Sequence, residues 1–480
     1  MPFARILRSS ALMGGAQAVT MATAFLRSKL IAVLIGPSGI GLMGMFTGFN
    51  GNLATITSWS LGTSAVRLVS GASDSGRDQK IAAVRKFGWR LTWCGLFAVL
   101  VLVLPIGEIT FDGQKYALEL LIAGLAVPCL IATTMWSSLL QAAGHIGSLA
   151  RTQILSSLLG LTAGLPFIYF FGPLGIAISI LIAALITAAV TWQAAARFCP
   201  SAGAAAADTD LRELLHLGLI MQIGGILGAV SAYAVRILIL RSHGTDLEAG
   251  LADAGFYQAA FAVTGSLPGV IFSATSSDFY PRVTAAKDED EARVITEKQV
   301  LASLLLALPI LMGLLTMGPL AVRLLYAKGF EPAVPLLDWF VWGIFCNLLG
   351  WPLGFWVVAR RSKRMVAIFQ SLVSVLMVIL AFILVPRWGV KGAAIANLGS
   401  GLIFTLILLG LTRWVSGRWI SLNTVGWLGL GLAILLSGKL FIQLASGGYW
   451  GLLPTALTAA ACGLIYFKVI ARAKAEEVSV

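Results

Sequence analysis

Long apolar runs separated by short polar segments dominate this chain. A helix needs about 20 mostly apolar residues to cross a bilayer, and fourteen stretches of the sequence meet that requirement. Their approximate cores are 11–35, 40–66, 88–106, 117–142, 152–171, 174–196, 214–240, 255–280, 300–322, 334–358, 365–385, 392–412, 423–443 and 449–469. The pattern predicts an all-α polytopic membrane protein with about 14 transmembrane helices.

Composition and charge agree with a lipid environment. Of the 480 residues 58% are hydrophobic and only 11% are charged, whereas soluble domains carry about 25% charged residues. The net charge of +13 does not indicate a nucleic-acid partner, because the basic residues form short clusters between apolar runs. Of the 34 Lys and Arg, 23 fall on one side of the predicted membrane and 7 on the other. The positive-inside rule then places both termini in the cytoplasm, which requires an even number of spans.

The short segments between the spans argue against several functional classes. No loop exceeds about 21 residues, too few for the extramembrane catalytic domain of a membrane glycosyltransferase, polymerase or ligase. The cysteines show no C-x-x-C or metal-ligand spacing, since four lie inside apolar runs and Cys199 lies in a basic loop. We therefore expect neither an enzyme nor a metal protein.

The sequence contains an internal repeat with an offset of 214 to 217 residues. Four pairs of similar segments occur in the same order in both halves. Gly41-Leu42-Met43 matches Gly255-Phe256-Tyr257, and Val66-Arg67-Leu68-Val69 matches Pro281-Arg282-Val283. The set Gln153, Ser156 and Ser157 matches the set Gln370, Ser371 and Ser374, and Gly172-Pro173-Leu174-Gly175 matches Gly389-Val390-Lys391-Gly392. The repeat predicts an N-terminal lobe over 1–200, a C-terminal lobe over 201–415 and an extra helix pair with a cytoplasmic tail over 416–480. Two parallel six-helix lobes are typical of alternating-access transporters; a channel or an inert scaffold built by duplication is the alternative.

Three segments resemble one family. The stretch Lys29 to Gly44 is similar to the K-L-x-A-V-x-x-G-P-x-G-x-G-L pattern of Wzx-type flippases, which move lipid-linked O-antigen and related oligosaccharide units. Phe330 to Arg360 resembles the tenth-helix segment of that family, and Asp278 to Arg282 resembles the close of its eighth helix. The resemblance covers roughly residues 10–412 and implies the multidrug/oligosaccharidyl-lipid/polysaccharide exporter fold. The helix pair beyond 416 departs from the many members that stop after twelve helices.

The resemblance implies a function and two rivals of the same fold. A Wzx-type protein would move an undecaprenyl-diphosphate-linked oligosaccharide from the cytoplasmic to the periplasmic leaflet of the bacterial inner membrane by alternating access. A lipid II-type peptidoglycan precursor flippase also carries fourteen helices, and a multidrug exporter shares the fold. A membrane glycan polymerase or ligase is the alternative from another class. The expected partners are a polysaccharide polymerase and a chain-length regulator, and we expect a monomer.

Four basic residues lie within or at the edge of predicted helices. Charges inside a membrane are costly, so those that persist usually face a cavity. The diphosphate-binding candidates are Arg27, Lys29, Arg236 and Arg67. Arg27 and Lys29 are about 200° apart on a helix, so they cannot share one face. The alternative is that these long side chains reach the membrane interface and only anchor their helices, and this alternative is strongest for Arg67.

Neutral polar residues and carboxylates complete the candidate site. The residues that could bind the glycan are Gln17, Asn50, Asn52, Gln222, Tyr233, Tyr257 and Gln258. Hydrogen bonding between helices is an equal alternative for each of them. No cofactor is expected except H⁺ or Na⁺ as a coupling ion, for which Asp338 and Glu119 are the main candidates and Asp278 a third. The alternative for Asp338 and Glu119 is a solvated carboxylate at a helix end.

Overall fold

The computed structural model describes residues 2–71, 76–111, 115–198, 208–360, 363–416, 420–444 and 452–478. The helices are α1 (Pro2–Leu34), α2 (Pro37–Ser58), α3 (Leu61–Ser70), α4 (Arg77–Phe111), α5 (Ala117–Gly124), α6 (Ala126–Ala142), α7 (Ile146–Phe198), α8 (Asp208–Arg241), α9 (Leu247–Ala285), α10 (Glu289–Leu325), α11 (Val334–Arg360), α12 (Lys363–Ser416), α13 (Leu422–Leu444) and α14 (Leu452–Val478). A short 3₁₀ turn, Glu331–Ala333, precedes α11. The all-α class expected from the sequence is confirmed within the described ranges.

Local chemistry explains several helix boundaries. Gly36 has φ of 88° and is followed by Pro37 at the first position of α2, so the chain turns sharply between α1 and α2. Trp59 and Ser60 both have φ of 50° and separate α2 from α3. The side chain of Asp288 accepts a hydrogen bond from Glu291 N at 2.7 Å, and Glu291 Oε2 accepts one from Lys287 N at 2.7 Å. This pair resembles a capping box, with the Glu291 carboxylate bound one residue before the N-cap Asp288, and it fixes the start of α10.

The two longest helices each fold back at a glycine. In α7 the backbone leaves helical geometry at Gly172, with φ of 55° and ψ of −123°. In α12 it does so at Gly389, with φ of 56° and ψ of −139°. A Cβ at Gly175 would lie 1.9 Å from Phe167 O, and one at Gly392 would lie 2.3 Å from Leu384 O. Both bends therefore require glycine for conformation and for close packing. They fall on positions that the proposed repeat treats as equivalent, although the repeat itself stays a prediction.

The described residues present apolar side chains outward, as a bilayer requires. In the part of the chain that the structure describes, nine helical stretches are long and apolar enough to cross a membrane. Two of them, Ile146–Phe198 and Ser371–Trp414, have lengths of 53 and 44 residues that allow two crossings each. Large apolar residues such as Trp93, Phe97 and Phe170 are exposed. The chain is thus a multi-pass membrane protein. The count of fourteen crossings stays a prediction.

Internal contacts divide the chain into two compact units, Met1–Gly255 and Phe256–Val480. In the first unit α1 packs along α7, α6 packs on α4 and α7, and α2 packs on α8. In the second unit α11 packs along α12, and α10 contacts α11, α13 and α14. The boundary falls inside α9, so α8 belongs to the first unit. The predicted lobes 1–200 and 201–415 remain predictions.

The start of α13 is held by a carboxylate that belongs to α10. Glu297 Oε2 accepts hydrogen bonds from Ser421 Oγ at 2.5 Å and Thr424 Oγ1 at 3.1 Å, and its Oε1 accepts one from Ser421 N at 3.0 Å. Arg293 Nη1 donates to the same Oε1 at 2.7 Å, and both side chains are mostly buried. A negative charge at the positive end of a helix dipole is stabilising. Glu297 therefore ties the extra helix pair to the second unit.

We expect Glu297→Gln to lower the free energy of unfolding by about 1.5–3 kcal/mol, the usual loss for hydrogen bonds to a charged group. Thermal unfolding of the purified protein measures this. Glu108→Gln, a change at an exposed carboxylate of α4, serves as the matched control and should leave the midpoint unchanged. Equal midpoints for the two variants would contradict the role assigned to Glu297.

Candidate functional site

A polar pocket lies between α1 and the two halves of α7, inside the first unit. Its volume is about 280 Å³. We call it the α1–α7 pocket. Its lining residues are Gln17, Thr20, Thr23, Ala24, Arg27, Gln153, Ser156, Ser157, Gly160, Leu161, Ala183 and Thr187. Among the described residues, Arg27 is the one charged residue in this lining, and no carboxylate of the described wall offsets its positive charge.

Arg27 and Gln153, which both line this pocket, each have a buried polar atom that lacks a hydrogen-bond partner among the described residues. Arg27 is half-buried, and its Nε, like Oε1 of Gln153, is shielded from solvent and has no hydrogen-bond partner among the described residues. Leaving such a buried group unpaired costs about 1–3 kcal/mol and more when the group is charged. Such groups are rare in native proteins, and each calls for an explanation. Because both side chains line the pocket, an anionic or hydroxylated group bound there would lie beside a cation and an amide.

Small residues keep the pocket walls close together. A Cβ at Gly160 would lie 3.1 Å from Ala183 Cβ, and one at Gly164 would lie 3.0 Å from Ser179 Cβ. These contacts join the two halves of α7, which the bend at Gly172 brings side by side. Helix pairs in membranes associate through such small residues, because they let backbones approach. The side chains of Gln153 and Thr187, on opposite halves of α7, consequently face the same pocket as Arg27.

Arg236 lies at a different place, where α8 crosses α2. A Cβ at Gly48 would come within 2.9 Å of Arg236 Nη1 and within 2.9 Å of the Tyr233 ring. The absence of a side chain at Gly48 thus makes room for both residues. Tyr233 OH forms a hydrogen bond with Thr110 Oγ1 at 3.2 Å, which links α8 to α4.

The structure does not gather the four basic candidates in one pocket. Lys29 is half-buried but is not in the lining of the α1–α7 pocket. Arg67 is exposed near the end of α3 and lines another cavity of about 440 Å³ with Thr134 and Gln141. Diphosphate binding by Arg27, Lys29, Arg236 and Arg67 stays a prediction, and Arg27 and Arg67 line two separate cavities.

Most of the glycan candidates form hydrogen bonds between or within helices. Asn50 Nδ2 donates to Ala123 O at 2.8 Å and joins α2 to α5. Asn52 Nδ2 donates to Gly48 O at 2.8 Å. Gln222 joins α8 to α2, because its Nε2 donates to Thr55 O and its Oε1 accepts from Ser60 Oγ at 2.5 Å. The glycan role stays a prediction for these residues and for Tyr233.

Tyr257 and Gln258 belong to the second unit. Tyr257 is buried, and its ring stacks on Phe261 at 6.1 Å and meets Phe340 edge to face at 5.4 Å. Gln258 is half-buried. Neither position tests their predicted contact with a glycan.

The coupling candidates lie in different surroundings. Asp338 on α11 forms an ion pair with Lys439 on α13. The pair lines a cavity of about 610 Å³ between α10, α11, α13 and α14, together with Arg323 and Gln443. Glu119 is half-buried in the first turn of α5. The side chain of Asp278, and Cys199, lie outside the described residues.

Sequence reasoning missed two features of the site. Gln153, Ser156 and Ser157 served only as markers of the repeat, although their spacing of three and four residues places them on one helix face. That spacing on an otherwise apolar helix was a signal for a polar pocket. The partner of Asp338 lies 101 residues away on α13, and no local pattern connects the two positions.

Comparisons with known proteins agree with this architecture. The profile of the family described as polysaccharide biosynthesis protein matches residues 6–287, which is more than half of the chain. A Shigella flexneri protein named "Putative O-antigen transporter" is 24% identical over 375 residues, covering 75% of this chain and 87% of that protein.

Solved structures share the fold at low identity. The lipid II flippase MurJ in an inward closed conformation aligns with a TM-score of 0.72 at 14% identity, covering 97% of this chain and 99% of that one. A MATE family multidrug resistance transporter of the MOP superfamily, in an inward-facing conformation, aligns with a TM-score of 0.68 at 15% identity, covering 82% and 94%. These relatives are transporters and not enzymes. The expected resemblance to Wzx-type flippases is thereby confirmed, and the chain belongs to the polysaccharide biosynthesis protein family of membrane transporters.

Proposed function

We propose that this protein is a Wzx-type flippase. It moves an undecaprenyl-diphosphate-linked oligosaccharide, an O-antigen or other surface polysaccharide repeat unit, from the cytoplasmic to the periplasmic leaflet by alternating access. Membership of the polysaccharide biosynthesis family and the Shigella flexneri relative support this class of cargo. The protein would lie in the bacterial inner membrane as a monomer with both termini in the cytoplasm, beside a polysaccharide polymerase and a chain-length regulator.

The α1–α7 pocket is the observation that carries the proposal. A lipid-linked oligosaccharide presents a diphosphate and hydroxylated sugars, and the pocket offers the guanidinium of Arg27 within a wall of Thr, Ser and Gln side chains. Arginine binds phosphate oxygens through charge-assisted, often bidentate hydrogen bonds. A cationic drug would be repelled by this charge, so the pocket favours the flippase over a multidrug exporter.

Genetic complementation distinguishes the proposal from the lipid II alternative. The gene would be expressed in a bacterium lacking its own O-antigen flippase and in one depleted of its lipid II flippase. We expect surface polysaccharide to return in the first strain and growth not to be rescued in the second. Rescue of growth without surface polysaccharide would reject the proposed cargo in favour of the peptidoglycan precursor.

We propose that transport is coupled to H⁺ or Na⁺ through Asp338. The carboxylate is about 29% exposed beside the cavity of about 610 Å³, and its partner Lys439 is equally exposed. A carboxylate in this position can exchange its lysine partner for a proton or a sodium ion while the second unit keeps its packing. Glu119, half-buried in the first turn of α5, is the second candidate.

The two members of the ion pair should respond differently to neutralisation. Asp338→Asn is expected to reduce gradient-driven transport about tenfold or more, because it removes the ion site. Lys439→Gln leaves the carboxylate in place and should retain most of the activity. The measurement is transport into vesicles with and without an imposed pH or sodium gradient. Equal losses in both variants, unchanged by removing the gradient, would show that the pair is only structural.

A further inference from the structure

We propose that the α1–α7 pocket binds a glycosyl phosphate, a sugar together with its attached phosphate, in preference to a bare inorganic anion. The phosphate would lie on the guanidinium of Arg27, and the sugar hydroxyls would donate to oxygen atoms of the pocket wall. This inference rests on the proposed function and deepens it, because it assigns one part of the cargo to one pocket.

The hydroxyl groups of the pocket wall already donate their protons to backbone carbonyl oxygens. Thr20 Oγ1 donates to Ala16 O at 3.0 Å, Ser157 Oγ to Ile154 O at 2.9 Å and Thr187 Oγ1 to Ala183 O at 2.7 Å. Thr23 and Ser156 also donate to carbonyl oxygens of their own helices. A hydroxyl has one proton and two lone pairs, so each of these side chains turns acceptor oxygen toward the pocket.

The other polar groups of the lining are the guanidinium of Arg27 and the amides of Gln17 and Gln153. Arg27 Nε and Gln153 Oε1 are shielded from solvent and have no partner among the described residues. The pocket therefore offers one cationic donor and an excess of acceptors. An inorganic phosphate dianion would satisfy Arg27 but would bring further acceptors against the wall. A sugar phosphate brings hydroxyl donors beside its anionic group and can satisfy both sets.

The size of the pocket limits what it can hold. Its volume of about 280 Å³ lies just below the range of roughly 300–1,000 Å³ found for small-molecule sites. One sugar with its phosphate suits this space, whereas a complete oligosaccharide does not. The pocket thus fits the carrier-proximal end of the cargo, where the first sugar is joined to the diphosphate.

The test measures binding of water-soluble probes to the purified full-length protein. α-D-Glucose 1-phosphate, inorganic phosphate and glucose are titrated at equal ionic strength, with intrinsic tryptophan fluorescence or the unfolding midpoint as the readout. We expect glucose 1-phosphate to bind about tenfold or more tightly than either phosphate or glucose, the effect of one or two additional hydrogen bonds. Arg27→Gln should remove most of that binding.

Two valine variants probe the wall without touching the cation. Thr187→Val and Thr20→Val keep the side-chain shape but remove the acceptor oxygen, and each should weaken glucose 1-phosphate binding about threefold or more while leaving phosphate binding unchanged. Thr162→Val is the matched control, because Thr162 lies on α7, is exposed and is absent from the pocket lining.

The outcomes separate this inference from the proposed function. Tighter binding of inorganic phosphate, no binding of any probe, or an unchanged preference in both valine variants would overturn the inference. Tight binding of a lipid-linked oligosaccharide without binding of soluble glucose 1-phosphate would also overturn it, since recognition would then depend on the lipid. Glucose 1-phosphate binding in a protein that moves no lipid-linked oligosaccharide would leave the pocket assignment intact and reject the flippase.

Discussion

Replacement of Arg27 by glutamine is expected to reduce glycan translocation by about 10- to 100-fold. Arg27 is the one charged residue in the lining of the α1–α7 pocket, and its Nε has no partner among the described residues. Hydrogen bonds to a charged group are worth about 1.5–3 kcal/mol, and each 1.4 kcal/mol is a factor of ten in affinity. Glutamine keeps the polarity but removes the charge.

Surface polysaccharide in the complemented strain, normalised to the amount of protein in the membrane, measures this effect. Arg27→Lys keeps a point charge but loses the planar fork, so an intermediate loss is expected. Arg151→Gln removes a charge from an exposed position of α7 and should be close to wild type. Normal export by Arg27→Gln at wild-type protein levels would refute the role of the pocket.

Adding a methyl group at Gly41 or Gly255 is expected to have the second largest effect. A Cβ at Gly41 would lie 2.0 Å from Leu251 O, and one at Gly255 would lie 2.0 Å from Pro37 O. Both obstacles are backbone atoms, so α2 and the start of α9 must separate. Overpacking of this kind costs about 1–3 kcal/mol, which lowers the population of this arrangement about 5- to 150-fold.

Thermal unfolding and translocation of Gly41→Ala and Gly255→Ala measure the cost. Each variant should lower the unfolding midpoint or, where the helices separate without unfolding, lower the translocation rate. Gly14→Ala is the control, because Gly14 on α1 is exposed and a Cβ there would meet no atom within 4 Å. Alanine has the higher helix propensity, so this variant should be as stable as wild type or slightly more stable. Wild-type behaviour of both test variants would mean that the close contact is dispensable.

Much of the fold could be predicted from the sequence because membrane helices follow length and polarity closely. The predicted spans 152–171 and 174–196 match the two halves of α7, and the bend between them falls at Gly172 before Pro173. The break between α2 and α3 was not predicted. It arises at Trp59 and Ser60, which adopt φ of 50° although neither residue type favours that conformation. Tertiary packing determines where such a helix is interrupted, so the local pattern of apolar and polar residues does not predict the interruption.

The candidate site was predictable only in part. Arg27 was found because an arginine inside an apolar run is rare and costly. The residues around Arg27 could not be predicted, because the pocket forms only when α7 folds back and brings Gln153 and Thr187 to the same cavity. The partners of Asp338 and Glu297 come from α13, more than 100 residues along the chain. Such contacts follow from three-dimensional packing, so the spacing of residues along the chain does not predict them.

Translocation in reconstituted vesicles would show directly whether the protein moves its cargo by means of Arg27. Purified protein would be placed in liposomes that contain a lipid-linked oligosaccharide, and the fraction reaching the opposite leaflet would be followed with an enzyme or lectin added outside. We expect wild type to expose the lipid-linked sugar well above protein-free vesicles, whereas Arg27→Gln should remain near that background. Equal rates in wild-type, Arg27→Gln and protein-free vesicles would contradict it.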